Sequence, residues 1–167
     1  MKNKIQFLKK CKVCGSEDLT KVLTLNEQYL SPTFVTTNKD NPLAKIKSPL
    51  TLVLCDKSKN KNNCGLLQLK EITDADLLYK DYFYRTATND TMRKDLKELV
   101  DQVMAIVKPA DQDVIVDIGS NDCTMLNFYD DKFNLVGFEP AQNIKFIDKG
   151  KNIRVINNYF NSKNFKE

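Results

Sequence analysis

Four of the five cysteines in this chain fall into two pairs, and that arrangement restricts the fold more than any other feature. In Cys11-Lys12-Val13-Cys14-Gly15, two intervening residues let both sulfurs face one ion, and Gly15 permits the tight turn that follows. Cys55 and Cys64 are separated by the polar residues 56–63, which can leave as a hairpin excursion and return both sulfurs to one place. Cys64 is again followed by a glycine, Gly65. The chain has no histidine, so a metal site must be built from thiolates. Isolated cysteines are more often small core residues. Two pairs, each with a glycine after its second member, point instead to a four-sulfur zinc site made by Cys11, Cys14, Cys55 and Cys64. With four thiolate ligands no position is left for a reactive water, so this zinc is expected to stabilise a loop-rich module and to perform no chemistry.

With 167 residues, 41% of them hydrophobic and 29% charged, the chain can bury a core as one domain or two small ones. No apolar run approaches the roughly 20 residues needed to span a bilayer, so neither a signal peptide nor a membrane anchor is expected. The expected location is the cytoplasm, where thiols stay reduced and cysteines serve metals better than disulfides. The net charge is +4, and apart from residues 57–61 the 26 basic side chains are scattered among 22 acidic ones, so nucleic-acid binding is not indicated.

Three segments follow from the patterning. Residues 1–72 read as the zinc module, a small β-rich unit with apolar runs at 50–54 and 66–69 and a loop over 32–49. Residues 73–110 hold a short helical start and the aromatic cluster Tyr79, Tyr82, Phe83 and Tyr84. A longer helix follows, capped by Asn89 or Asp90, with Met92, Leu96, Leu99, Val100, Val103 and Val107 at helical spacing until Pro109. Residues 111–167 alternate: a strand over 114–118, a helix from about Asp122, a strand over 135–138, a helix from about Ala141 and a strand over 153–156. That is a βαβαβ unit with a parallel sheet, and the fold class is α/β.

Within it, Val114-Ile115-Val116-Asp117-Ile118-Gly119-Ser120-Asn121-Asp122-Cys123 passes from a buried strand through a tight turn. Gly119 lets a ligand approach that turn, and crevices at the carboxyl ends of parallel strands bind nucleotides. Only Gly119 occupies a glycine position, so the dinucleotide fingerprint is missing and a nicotinamide cofactor is disfavoured. The acidic residue at the strand end plus Gly119 resembles motif I of S-adenosylmethionine-dependent methyltransferases. Glu139, in Gly137-Phe138-Glu139-Pro140, closes the next strand where an acid can accept both hydroxyls of a ribose.

The order of these pieces resembles the sugar C-methyltransferase family, in which a cysteine-rich zinc module precedes a methyltransferase domain and a further C-terminal domain. The residues that carry the resemblance are Cys11-Lys12-Val13-Cys14-Gly15-Ser16, Ser48-Pro49-Leu50, Cys64-Gly65-Leu66-Leu67-Gln68-Leu69, Asp81-Tyr82-Phe83-Tyr84, Asp117-Ile118-Gly119-Ser120-Asn121-Asp122 and Gly137-Phe138-Glu139-Pro140-Ala141. It implies S-adenosylmethionine as cofactor, held by Asp117, Gly119, Ser120, Asn121, Asp122, Glu139 and Pro140 in the first half of a Rossmann-like sheet. It implies a nucleotide-linked deoxy keto sugar as substrate, deprotonated beside its ketone and methylated on carbon. Tyr82 and Tyr84 are the substrate-side candidates, with core packing weighed equally for them.

The chain also departs from the family. Cys123 stands where a glycine commonly follows Asn-Asp, and the family's second Cys-x2-Cys is lengthened by the polar excursion. No histidine follows the tyrosine segment, where the corresponding stretch is Met92-Arg93-Lys94-Asp95. Only three of the usual seven strands are expected before Glu167, so the chain reads as a fragment, a split protein whose other half is a separate chain, or a remnant, inactive without a downstream half. The competing readings are a zinc-ribbon module that touches nucleic acid through residues 57–61 or a protein partner, with the βαβ part as a docking surface, and a structural protein that self-associates through the open edge of its half sheet.

Overall fold

A computed structural model of the chain describes residues 5–30, 46–142 and 152–166. The chain divides into two compact units, Met1–Leu78 and Tyr79–Glu167.

The first unit is built from strands β1 (Ile5–Phe7), β2 (Leu19–Tyr29), β3 (Lys47–Cys55), β4 (Leu67–Leu69) and β5 (Glu71–Thr73), with a short helix, α1 (Ala75–Tyr79), at its end. β1 pairs with β5, and a separate antiparallel sheet runs β2-β3-β4. In β3 the alternation expected of a half-buried strand is carried by Thr51, Val53 and Cys55, all buried, with Leu52 and Leu54 between them. Residues 47–49, expected in a loop, instead begin β3 in spite of Pro49. The reason lies in the pairing: β4 meets β3 only at Leu52, Val53 and Leu54, so on that flank of Pro49 there is no ladder for a missing N–H to interrupt. On the other flank Pro49 faces Glu27 just past a register irregularity between Thr24 and Glu27. The rest of the expected loop, residues 32–45, lies outside the described residues.

The interior of this unit is polar as much as apolar. Ser48, Thr51, Asn63, Gln68 and Glu71 are buried. The Glu71 carboxylate accepts from the Thr51 amide at 2.9 Å, so a buried charge is given a backbone donor that the β3–β4 ladder leaves over.

In the second unit α2 (Asp90–Val107) starts where the sequence places its cap: the Asn89 side chain accepts from the Met92 amide at 3.0 Å. It stops at Lys108, which adopts a left-handed conformation (φ 50°) and donates its N–H to the Met104 carbonyl, just before Pro109. Strands β6 (Val114–Ile118), β7 (Asn134–Phe138) and β8 (Ile153–Ile156) form a parallel sheet in that order. Val100 of α2 joins Cys123, Leu126, Tyr129, Phe133, Leu135 and Ile153 in one buried cluster, with Met104 and Ile115 against it. The apolar stripe expected on α2 is only partly used: Val100 is buried in this cluster and Met104 packs against it. Met92, Leu99 and Val107 remain exposed.

The helix expected from about Asp122 does not form. Residues 119–125 make turns, and one 3-10 turn spans Leu126–Phe128. Asn121 (φ 48°) and Cys123 (φ 59°) are both left-handed, a conformation that an α-helix cannot contain. The helix expected from about Ala141 falls on residues 143–151, outside the described residues. The Tyr82-Phe83-Tyr84 segment is not a strand, and Phe83 is exposed. On the second face of the sheet, Phe160 and Phe165 pack on Phe138, edge-on at 5.1 Å and stacked at 6.5 Å between centroids. Val114 and Ile118, on β6, are each 60% exposed. Among the described residues no helix is long and apolar enough to cross a membrane.

Candidate metal centre and cofactor turn

All four expected sulfurs meet. The Sγ atoms of Cys11, Cys14, Cys55 and Cys64 lie within 4.8 Å of one another, with Cys11 to Cys64 at 3.5 Å and Cys14 to Cys55 at 3.4 Å. Ligands about 2.3 Å from a tetrahedral zinc stand roughly 3.8 Å apart, so the cluster has the dimensions of a closed four-thiolate site. Local chemistry builds each half. Cys11 donates its N–H to Ser16 and accepts from the Gly15 amide, and Gly15 and Gly65 sit at φ 74° and 80°, the left-handed conformation the two turns demand.

The excursion between Cys55 and Cys64 is closed by its own polar side chains. Asp56 accepts from the Ser58 amide and hydroxyl and from the Thr20 hydroxyl, while buried Asn63 donates to the Asp56 carbonyl at 2.7 Å and to Asp18 at 3.2 Å. The Cys55 carbonyl then accepts from the Gly65 amide at 3.1 Å, which brings Cys64 back to its place.

The thiols are not equivalent. The amides of Cys14 and Val13 pull Cys11 down to about 6, and the Ser16 amide lowers Cys14. Burial pushes Cys55 up to about 12. For Cys64 the Leu66 amide pulls down, but burial and the neighbouring Cys11 and Cys14 sulfurs outweigh it and raise the thiol. Four sulfurs this close cannot all ionise alone, and a divalent cation is what would let them. Gln68 stands at the same site: its Oε1 accepts from the Lys12 amide at 3.2 Å, its buried Nε2 has no hydrogen-bond partner, and the side chain favours the Cys11 thiolate. The sequence signal for Gln68, overlooked in the motif, is a lone polar residue inside the run Leu66-Leu67-Gln68-Leu69.

The second constellation surrounds the turn after β6. The Gly119 and Ser120 amides both donate to the Phe138 carbonyl, which folds the turn over the end of β7. Gly119 is at φ 80°, and a Cβ there would meet nothing within 4 Å, so the turn is open to a ligand from that side. Gly137 is needed for the approach itself, because a Cβ would stand 2.6 Å from Ser120 Oγ. Glu139 is buried; it accepts from the Asn121 amide at 2.9 Å and the Ala141 amide at 2.8 Å, which leaves each oxygen a lone pair toward a ligand. Pro140 follows it, half-buried. Burial, with Glu139 close by, pushes Asp117 up to about 6.

The side chains of Asn121 and Asp122 are engaged by the segment before α2. Asn121 Oδ1 accepts from the Thr86 amide at 3.0 Å and its Nδ2 donates to the Tyr84 carbonyl at 2.9 Å; Asp122 Oδ2 accepts from the Ala87 amide at 2.7 Å. Tyr84 is thereby fixed beside the turn through its carbonyl, and Tyr82 packs on Tyr79 and Phe83. Cys123 is fully buried, and burial raises its thiol to about 11, so it is an inert packing group in the core cluster.

Residues 11–79 match a family model described as a "putative zinc binding domain". The C-methyltransferase NovU of Streptomyces niveus is 23% identical over 157 residues, which cover 93% of this chain and 36% of that protein. The chain thus spans little more than a third of the length of the curated relative it matches. Both findings support the resemblance to the N-terminal region of a sugar C-methyltransferase, and the matched zinc-binding family model agrees with the four clustered cysteines as a metal-holding set.

Proposed function

We propose that this chain supplies the zinc module and the cofactor turn of an S-adenosylmethionine-dependent C-methyltransferase acting on a nucleotide-linked deoxy keto sugar. The observation that carries the reading is the β6–β7 pair, in which an open glycine turn and the buried carboxylate of Glu139 stand at adjacent strand ends. In this reading the sheet is the first half of a Rossmann-like fold. S-adenosylmethionine, when bound, supplies an electrophilic methyl group on a sulfonium. Glu139 accepts the ribose hydroxyls, Gly119 and Ser120 let the cofactor approach the backbone, and Asp117, Asn121, Asp122 and Pro140 shape the turn. Tyr82 and Tyr84 face the sugar.

The matched relative is longer than this chain, which covers 36% of it, and in this reading the rest of the sheet and the group that takes the proton from the sugar are supplied by residues such as fill that further length. Its docking edge is β6, which pairs only with β7 among the described residues and exposes Val114 and Ile118. The chain alone is therefore expected to bind cofactor weakly and to turn over nothing. A zinc-thiolate site and unpaired cysteines fit the reducing cytoplasm.

The test is calorimetric titration of the zinc-loaded chain with S-adenosylhomocysteine. Saturable binding is expected, weakened at least tenfold in Glu139→Ala. A chain that ignores the nucleoside and instead shifts nucleic acid in a salt-dependent way through exposed Lys57, Lys59 and Lys61 would be the zinc-ribbon binding module.

A further inference from the structure

Beside the turn, the second unit has a cavity of about 240 Å³ lined by Arg85, Arg93, Asp122, Thr124, Asn127 and Phe128. It is smaller than the roughly 300–1,000 Å³ of sites that take a whole drug-sized ligand, so it suits one end of a longer molecule. Its charges are mixed. Two arginines, whose guanidinium groups are forked donors suited to a carboxylate, share the lining with buried Asp122. Asp122 already accepts from the Ala87 amide, the Thr124 amide and the Thr124 hydroxyl, which leaves lone-pair capacity for about one more donor. A phosphate dianion would meet that carboxylate as a like charge. An α-amino acid would not, since it brings a carboxylate for the arginines and an ammonium for Asp122. Phe128 and Ala87 add apolar wall for a methylene chain.

We propose that Arg85 and Arg93 form a carboxylate clamp that selects the amino-acid end of the cofactor, with Asp122 receiving its ammonium. The proposal rests on the cofactor reading above and adds the residues that distinguish an amino-acid-bearing nucleoside from one without it. Arg93 is an exposed side chain in the first turn of α2, so changing it leaves the fold in place.

The test uses the full zinc-loaded chain and two probes: S-adenosylhomocysteine, and 5′-methylthioadenosine, which keeps the nucleoside thioether and lacks the amino acid. Wild type is expected to bind S-adenosylhomocysteine at least tenfold more tightly than methylthioadenosine. Arg93→Gln should erase most of that preference and leave methylthioadenosine affinity unchanged, which also certifies that the variant is folded; Arg85→Gln should do the same. Unchanged S-adenosylhomocysteine affinity in both variants overturns the clamp while the cofactor reading stands. Equal weakening of both probes overturns it as well, since the arginines would then be supporting the turn. Displacement of S-adenosylhomocysteine from wild type by millimolar inorganic phosphate overturns the selection for an amino acid. Failure of wild type to bind either nucleoside removes both readings together.

Discussion

The two units solve the same problem, holding a short chain in one shape, with different materials. In the first, the buried apolar residues among those described are Cys11, Val53 and Cys55, two of them members of the sulfur cluster, while buried Asn63, Gln68 and Glu71 are tied by hydrogen bonds. In the second, Leu126, Phe133, Leu135, Phe138 and Ile153 are buried around Val100. Among its described residues the first unit buries little apolar surface, so its fold is expected to depend on an ion, whereas the second has a core and is expected to depend on packing. A structural metal suits loops whose geometry must survive with little beneath them, whereas a ligand turn needs a stiff sheet under it.

The largest effect should come from removing the ion. A structural zinc bound by thiolates contributes apparent free energies on the order of 10 kcal/mol. Purified without chelator, the chain should contain one zinc by elemental analysis, and Cys55→Ser or a strong chelator should abolish the circular dichroism of β2 and β3 while amides of β7 keep their protection from exchange. Simultaneous loss of protection in both units would break the contrast. Next, Leu126→Ala, at a fully buried site, should cost about 3 kcal/mol in urea melts and leave the zinc content unchanged.

A smaller effect depends on pH. Asp117 is raised to about 6, so folding favours its neutral form. Its burial costs nothing below about pH 4, where the carboxyl is protonated folded or unfolded. Stability is then lost at up to about 1.4 kcal/mol per pH unit until the pH passes 6, and the deficit persists above. Asp117→Asn should therefore be more stable than wild type at pH 7.5 and lose most of that advantage by pH 4.5, as read from paired urea melts at each pH. Smallest of the four, Asn89→Ala removes the cap of α2 and should cost about 1 kcal/mol, visible as faster exchange of the Met92 amide.

What the sequence disclosed follows the same division. Wherever structure is local it was legible: the two-residue cysteine spacing and its glycine, the Asn89 cap, the apolar run over 50–54 that lies in β3, and the parallel strands β6, β7 and β8. What escaped is set by partners distant along the chain. A helix after Gly119 is a fair expectation from local pattern, but Asn121 and Asp122 spend their side chains on Tyr84, Thr86 and Ala87, some 35 residues earlier, and the backbone turns left-handed instead. Pro49 looks like a strand breaker until the short reach of β4 is known. Arg85 and Arg93 carry no motif at all, and only the folded chain brings them to one cavity.

Asn121 also has a consequence for how the second unit responds to its surroundings. One residue ties its own turn to two other stretches of chain: its amide reaches Glu139, while its Oδ1 and Nδ2 reach Thr86 and Tyr84 of the tyrosine segment. It acts as a rivet through three plates, so the strand end, the turn and the tyrosine segment shift as one piece or not at all. Anything that draws on the Glu139 carboxylate is felt at the Thr86 amide, whose exchange rate becomes a gauge of occupancy at a position no ligand needs to contact.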